Sequence, residues 1–296
     1  KTPFYFFLLR NDEINAFAFF GGHVGVHTGL FLNADNESEL ASVLAHEITH
    51  VTQRHLARSL EAQQKSSTAT IVGMLGAILL TIAAPQAGMA ALATTQALAT
   101  QSKINYTRLH EKEADRIGMQ ILVDAGFDPN AAATFFGQLA IRYRFTTTPP
   151  QMLLTHPLPE SRITEARNRA AQYPKRNVPN SLNFQLAKAR IQVRFSSFSD
   201  DAALSLFEQQ LKKNEYSFKQ AALYGKALAL FRLEKFAQAE VIIDDLLKQD
   251  DNNLFYIDTK TDLLDQKKDF AGAIALLEAQ RKLKPTSQVI NTNLAN

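Results

Sequence analysis

The residues best suited to chemistry are two histidines four positions apart, His46 and His50, with Glu47 next to the first. In a helix, residues four positions apart lie on one face, so both imidazoles can reach a single metal ion. A carboxylate on the flank of that face can take a proton from a metal-activated water and pass it to a departing amine. The pattern predicts a catalytic metal site, although such histidine pairs also occur on exposed helix faces.

A catalytic zinc needs a third protein ligand and an open position for water. His55 is one residue out of register with the pair and should face away from the metal. The best candidate is Glu111, in a second helical segment, with Asp115 one turn later as acceptor for the other ring N–H of a ligating histidine. Glu113 should point to another side and be solvated. The alternative is an exposed acidic helix face paired with its basic neighbours, Lys112 and Arg116.

The motif lies in a segment with helical periodicity, which we predict to run from Asp35 to about Glu61. Asp35 or Asn36 can cap the helix, and acidic residues follow in its first turn. Glu111 and Asp115 belong to a later helical segment with apolar residues at helical spacing. The site should therefore form where two helices meet.

Residues 1–33 read as extended structure that precedes this helix. Apolar runs at 4–9 and 15–20 have strand length, and Gly21 and Gly22 fit a tight turn before the next strand. That strand carries His23 and His27, and we predict it to lie at the edge of the sheet. If it borders the cleft, its backbone can pair with an extended substrate; otherwise both histidines are ordinary exposed strand residues.

Composition excludes several classes of protein. Of the 296 residues, 46% are hydrophobic and 21% are charged, which excludes a disordered chain. The net charge of +3 is too small for a dedicated nucleic-acid binder, so we expect no nucleic-acid partner. The absence of cysteine excludes disulfides, cysteine-ligated metals and thiol nucleophiles.

An uncharged segment separates the two parts of the site. No charged residue lies between Lys65 and Lys103, and the apolar run at 69–84 is shorter than the ~20 residues that cross a bilayer. The favoured interpretation is a buried helical hairpin. The alternative is a mobile segment or peripheral membrane contact through residues 69–100.

The second half of the chain contains a repeat and no histidine. Residues 235–239 (KFAQA) recur as 269–273 (DFAGA), 34 positions later, and each copy precedes an amphipathic helix. Residues 199–203 form a weaker copy. This period is typical of tetratricopeptide repeats, whose helix pairs form a partner-binding surface, although generic helical hairpins remain an alternative. We predict a peptidase domain at 1–172, a linker at 173–180 and a repeat domain at 181–296.

With these motifs, the chain resembles gluzincins of the HtpX and BepA group. The histidine–glutamate–histidine helix, followed some 60 residues later by Glu111 and Asp115, matches the signature of that group. Residues 15–18, the glycine pair and the run at 24–26 match its preceding strand, and residues 154–162 match its downstream His-Pro…Arg element. The repeats distinguish the chain from the membrane-embedded members and point to the periplasmic peptidases and chaperones of outer-membrane protein assembly.

The resemblance implies an α+β zincin-like metallopeptidase domain followed by an all-α tetratricopeptide-repeat domain. It implies a zinc metalloendopeptidase with one zinc per chain, bound by His46, His50 and Glu111, with Glu47 as general base. His156 would lie in a loop near the zinc and occupy its open position as an autoinhibitory plug. The alternative is an uninvolved loop histidine. Arg162 would steady the site or the transition-state oxyanion, or form an ordinary buried salt bridge.

The resemblance also implies location and partners. Lys1 in place of Met suggests a processed chain, and we expect a signal peptide to have been removed upstream and the protein to act in the periplasm. Unfolded or stalled outer-membrane proteins would be substrates, and the repeats would bind the outer-membrane assembly machinery. The competing class is a repeat-domain adaptor or chaperone whose metal site is closed and rarely active.

Overall fold

The computed structural model describes residues 3–145, 151–157 and 160–295. Leu158 and Pro159, which belong to the His-Pro…Arg motif, lie outside the described residues. The chain forms two compact units. The first comprises Lys1–Leu9 and Glu13–Val178, and the second comprises Arg10–Asp12 and Pro179–Asn296.

The described part of the first unit opens with a sheet of three strands: β1 (Tyr5–Leu9), β2 (Ala16–Phe19) and β3 (His23–His27). The strand order is β1-β3-β2, with β3 parallel to β1 and antiparallel to β2. The predicted strands are confirmed, but the prediction that His23 and His27 occupy an edge strand is wrong. β3 is central because β1 pairs along its other side, and β2 is an edge strand.

Gly21 and Gly22 make the tight connection between β2 and β3. Both have positive φ, 78° and 84°, which glycine adopts without the steric cost that other residues incur. A Cβ on Gly22 would also lie only 1.9 Å from the carbonyl oxygen of Pro3. The predicted turn is therefore confirmed, and it requires glycine for conformation and for space.

The chain becomes helical earlier than predicted. The short helix α1 (Thr28–Asn33) follows β3 directly, so residues 28–33 are not extended. The motif helix α2 (Glu37–Thr52) begins after Asn36, whose side chain accepts a hydrogen bond from the Glu39 N–H at 3.0 Å. Of the two predicted caps, Asn36 therefore holds the capping position.

The prediction of one helix from Asp35 to about Glu61 is wrong at its C-terminal end. α2 ends at Thr52, Arg54 takes the left-handed conformation with φ 57°, and α3 (His55–Ala83) starts in a new direction. Non-glycine residues adopt this conformation uncommonly, and hydrophobic periodicity does not signal it.

α3 and α4 (Pro85–Asp124) form a long helical hairpin. The hairpin itself was predicted, but its burial was not borne out. Many of its apolar side chains are exposed, among them Ile71, Val72, Leu75, Met89 and Leu98. Among the described residues, we find no helix with the length and apolarity to span a bilayer.

Three further helices lie in the described part of the first unit, and the first of them packs on the motif helix. They are α5 (Ala131–Arg142), α6 (Gln151–Thr155) and α7 (Glu160–Ala170). One buried apolar cluster joins residues of α2, α4, α5 and α7: Ala45, Met119, Leu122, Val123, Ala131 and Ala170. This core fixes α4 against α2, on which the geometry of the site depends.

The described part of the second unit consists of helices. They are α8 (Leu182–Arg194), α9 (Asp200–Lys213), α10 (Lys219–Arg232), α11 (Phe236–Gln249), α12 (Leu254–Gln266), α13 (Phe270–Leu283) and α14 (Gln288–Ala295). The repeated sequences start α11 and α13. The turns before these helices share a left-handed residue, Glu234 (φ 58°) and Lys268 (φ 62°), 34 positions apart. The sequence period is therefore also a period of the backbone.

Candidate metal centre

Helix α2 places His46 and His50 one turn apart with their Nε2 atoms only 2.9 Å from each other. His46 is buried, and the His50 side chain is 15% exposed. Two Nε2 atoms this close would repel each other if neither carried a proton and no cation lay between them. They therefore share either a proton or a cation. The helix thus supplies a converging pair of nitrogen donors.

Helix α4 brings the carboxylates to this pair because it passes α2 at close range. A Cβ on Gly118 would meet the backbone of His46 at 3.2 Å, so glycine permits the approach. On the same helix, Glu111 Oε2 lies 3.3 Å from His46 Nε2, and Asp115 Oδ1 lies 3.1 Å from His46 Nδ1. Each ring nitrogen of His46 therefore faces a different carboxylate.

His156 completes the group from the loop after α6. Its Nδ1 lies 3.1 Å from Glu111 Oε1 and 3.4 Å from His46 Nε2. Ligand atoms of His46, His50, Glu111 and His156 all lie within 4.8 Å of one another. Imidazole and carboxylate donors are the protein ligands of catalytic zinc, so the chemistry of this set fits a zinc-type cation.

Arg162 neutralises the buried carboxylates from the far side of the group. Its Nη1 lies 2.9 Å from Glu111 Oε2, and its Nε and Nη2 donate to the two oxygens of Asp115 at 2.8 and 2.7 Å. Nη1 also donates to the carbonyl of Pro157 at 2.8 Å. Arg162 is buried, and breaking a buried pair of this kind costs roughly 3–5 kcal/mol.

The electrostatics of the group follow from burial opposed by ion pairing. Burial lowers the pKa of His46, but hydrogen bonds to Asp115 and Glu111 outweigh it and raise the pKa to about 10. Burial and the charge of His46 lower the pKa of His50 to about 2. Burial alone would raise the pKa of Glu111, but hydrogen bonds from His156 and His46 hold that pKa well below its usual range. The carboxylate is thus anionic and ready to bind a cation.

Glu47 lies beside the group and outside it. Its side chain is buried, and its Oε1 has no hydrogen-bond partner in the described part of the chain. Burial raises the pKa of its carboxyl, opposed by the charges of His156 and His46, while the Ala18 N–H donates to it. A buried carboxylate oxygen that accepts no hydrogen bond from the protein can accept one from a water molecule next to the donor group.

The group opens into a cleft of about 670 Å³. One wall is β2 with its glycine turn, and the other side carries Glu47, His50, Glu111 and His156. Neither His23 nor His27 belongs to the metal-binding group found among the described residues. His23 stacks on Tyr5, and His27 is buried with its ring edge-on to Phe17.

Two further histidines, His55 and His110, lie next to the group and line the same cleft. His55 was expected to face away, yet its Nδ1 is 2.9 Å from His50 Nδ1 and its Nε2 is 3.1 Å from Glu113 Oε2. His110 stacks on His55 with ring centroids 4.3 Å apart. Burial lowers the pKa of His55 and brings that of His110 to about 4. Glu113 points to another side than Glu111, as expected, but it is paired with Arg58 and His55.

Comparison with known proteins gives a consistent family match. The model of peptidase family M48 matches residues 1–170. The chain is 50% identical to the beta-barrel assembly-enhancing protease of Escherichia coli strain K12 and 48% identical to that of Yersinia pestis, in both cases over its whole length. It covers 60% and 61% of those two proteins, and thus only part of their length. The resemblance to the BepA group is therefore confirmed.

A more distant relative matches a smaller share of the chain. The mitochondrial metalloendopeptidase OMA1 of Bos taurus is 31% identical over 190 residues, which is 60% of this chain and 33% of that protein.

The two carboxylates of α4 should differ in their effect on metal binding. Loss of a group that hydrogen-bonds to a metal ligand lowers metal affinity by ~10–100-fold. We expect Glu111→Gln to lower divalent-metal affinity by more than this, because it removes a direct donor and its charge. Glu113→Gln is the matched control, because it keeps an acceptor for His55. Competition with a chromophoric chelator measures both affinities. Equal losses in the two variants would mean that Glu111 is the wrong carboxylate.

Proposed function

Since the chain belongs to peptidase family M48, we propose that its first unit is a zinc-dependent endopeptidase with one zinc held by His46, His50 and Glu111. The observation that carries the proposal is the convergence of these donors with His156 within 4.8 Å, beside a buried glutamate. A zinc ion bound there supplies Lewis-acid polarisation of the scissile carbonyl and lowers the pKa of a water molecule.

Glu47 is the general base in this proposal. Its raised pKa, and an Oε1 that accepts no hydrogen bond from the described residues, suit it to take the proton of the attacking water and pass it to the departing amine. The N–H of Ala18 holds the carboxylate from the side of β2. Because this hydrogen bond fixes one edge of the carboxylate, the other oxygen is left for the water.

Strand β2 is suited to align the substrate chain. It pairs with β3 along one side, and Phe17, Ala18 and Phe19 line the cleft. An extended peptide can add to the other side of this edge strand through backbone hydrogen bonds. Such pairing is independent of side chains and therefore suits unfolded proteins as substrates. The substrate was predicted to pair with the strand of His23 and His27. In this proposal it pairs with β2 instead.

Two further residues regulate and support the site in this proposal. His156 is an autoinhibitory plug, since its Nδ1 lies among the donors and its Nε2 is 3.5 Å from Glu47 Oε1, where water must bind. Arg162 is a positioning residue, because its donors are directed to Glu111, Asp115 and the Pro157 carbonyl. Those contacts favour the salt-bridge alternative over a direct role at the oxyanion.

The second unit is the partner-binding part in this proposal. The 34-residue period of α11 and α13 favours a tetratricopeptide-repeat domain at residues 181–296. The relatives named beta-barrel assembly-enhancing proteases suggest a chaperone-like role in assembly and quality control of outer-membrane proteins, in the periplasm. Stalled or unfolded outer-membrane proteins would be substrates, and the repeats would bind the assembly machinery. The exposed apolar hairpin side chains support additional peripheral membrane contact through residues 69–100.

Replacement of the base tests the enzymatic proposal. Glu47→Gln should lower hydrolysis of an unfolded protein such as casein by ~10²–10⁴-fold, the usual contribution of a positioned base. Its zinc content should match wild type, because Glu47 is outside the donor group. Retained proteolysis would refute the assignment. If the variant still supports outer-membrane protein assembly in cells, the adaptor role operates beside the enzyme.

Removal of the plug tests the autoinhibition. His156→Ala should raise basal proteolysis of casein and self-cleavage while zinc content stays nearly unchanged, because the other donors hold the metal. Zinc loss would make His156 an essential ligand. Lower activity with zinc retained would assign it to the transition state, and either result contradicts a switch.

Truncation tests the division of labour between the units. Residues 181–296 alone should fold without zinc, as judged by circular dichroism with and without chelator, because their sequence has no histidine or cysteine. A chain that ends at Pro174 should lose affinity for assembly-machinery partners. Similar affinity with and without the repeats would show that docking lies elsewhere.

A further inference from the structure

We infer that His55 is a positioning residue that fixes the orientation of the metal ligand His50. The inference rests on the proposed metal centre and deepens it. The decisive contact joins His50 Nδ1 to His55 Nδ1 at 2.9 Å. The opposite nitrogen of His50, Nε2, faces His46 and Glu111 at 2.9 and 3.5 Å.

The contact assigns one tautomer to each ring. A ring nitrogen that binds a metal carries no proton, so a neutral His50 has its proton on Nδ1. That proton is donated to Nδ1 of His55, which must then be unprotonated. The His55 proton is on Nε2, where Glu113 Oε2 accepts it at 3.1 Å. Arg58 Nη1 donates to the same carboxylate oxygen at 2.9 Å and anchors the end of this chain.

Packing holds the His55 ring in the orientation that the hydrogen bonds require. His55 is only 2% exposed, and its ring lies flat on His110, with an interplanar angle of 5°. His110 is itself buried, and its Nδ1 lies 3.3 Å from Ser59 Oγ. The stack leaves both nitrogens of His55 at the ring edge, one toward His50 and one toward Glu113.

The helix break at Arg54 is what makes the contact possible. In an uninterrupted helix, His55 would lie about 140° around the axis from His50, since each residue advances the helix by ~100°. The left-handed Arg54 ends α2 and starts α3 at His55, and this change of direction turns the His55 ring back toward His50. The two metal-binding histidines of α2 therefore have different outer partners: Asp115 for His46 and His55 for His50.

Zinc affinity of matched variants tests this role without any activity measurement. His55→Phe keeps an aromatic ring on His110 but removes both nitrogens, and it should lower zinc affinity by ~10–100-fold, the usual effect of losing an outer partner of a ligand. His110→Phe also keeps the stack, and its affinity should stay near that of wild type because it leaves the contact between His50 and His55 in place. His55→Gln should recover part of the loss, since its amide oxygen can accept from His50.

The readout is chelator competition at equilibrium, with the absorption spectrum of the Co²⁺-substituted proteins as a report on ligand geometry. If His55→Phe does not fold, His55→Gln and His55→Met form a second pair of similar length in which only Gln carries an acceptor. If wild type binds zinc tightly, equal affinities of His55→Phe and His110→Phe, or of His55→Gln and His55→Met, would overturn the role of His55. Such a result would leave the proposed metal centre intact. Failure of wild type to bind zinc would instead refute the proposed metal centre.

Discussion

The structure of the first unit depends on the burial of two carboxylates between two helices. Glu111 and Asp115 lie in the interior, where an unpaired carboxylate would be too costly to keep ionised. Arg162, His46 and His156 supply the balancing contacts, and they come from three different parts of the chain. Charge balance therefore joins α2, α4, α7 and the His156 loop into one site. A cation bound to His46 Nε2 would take the place of a proton on that nitrogen, because a metal-binding imidazole nitrogen is unprotonated.

The same arrangement is compatible with the proposed autoinhibition of a preformed metal centre. The outer contacts of Asp115 and His55 hold the ring nitrogens of the two α2 histidines that face away from the group of donors. His156 approaches from the open side, on a loop that follows a helix of five residues. The partners on helices are therefore the fixed ones, and His156 on its loop is the one that the proposed autoinhibition requires to move.

Local sequence patterns predicted much of this site, and non-local contacts account for the rest. Four-residue spacing on one helix brings His46 and His50 together whatever the surroundings are. The choice of Glu111 over a solvated acidic face relied on residue type and on resemblance to a family. The partner of His50 could not be predicted, because it depends on the left-handed Arg54. The central position of β3 was missed since it results from pairing with β1. Apolar composition suggested a buried hairpin, but composition does not determine which surface is covered.

X-ray absorption spectroscopy of the zinc-loaded protein tests the central claim most directly, because it counts the imidazole ligands around the metal. The central claim is that His46, His50, Glu111 and His156 surround one ion. The wild-type spectrum should contain scattering from three imidazoles, and that of His156→Ala should contain two at unchanged zinc content. Two imidazoles in both proteins would contradict the claim and place His156 outside the metal centre.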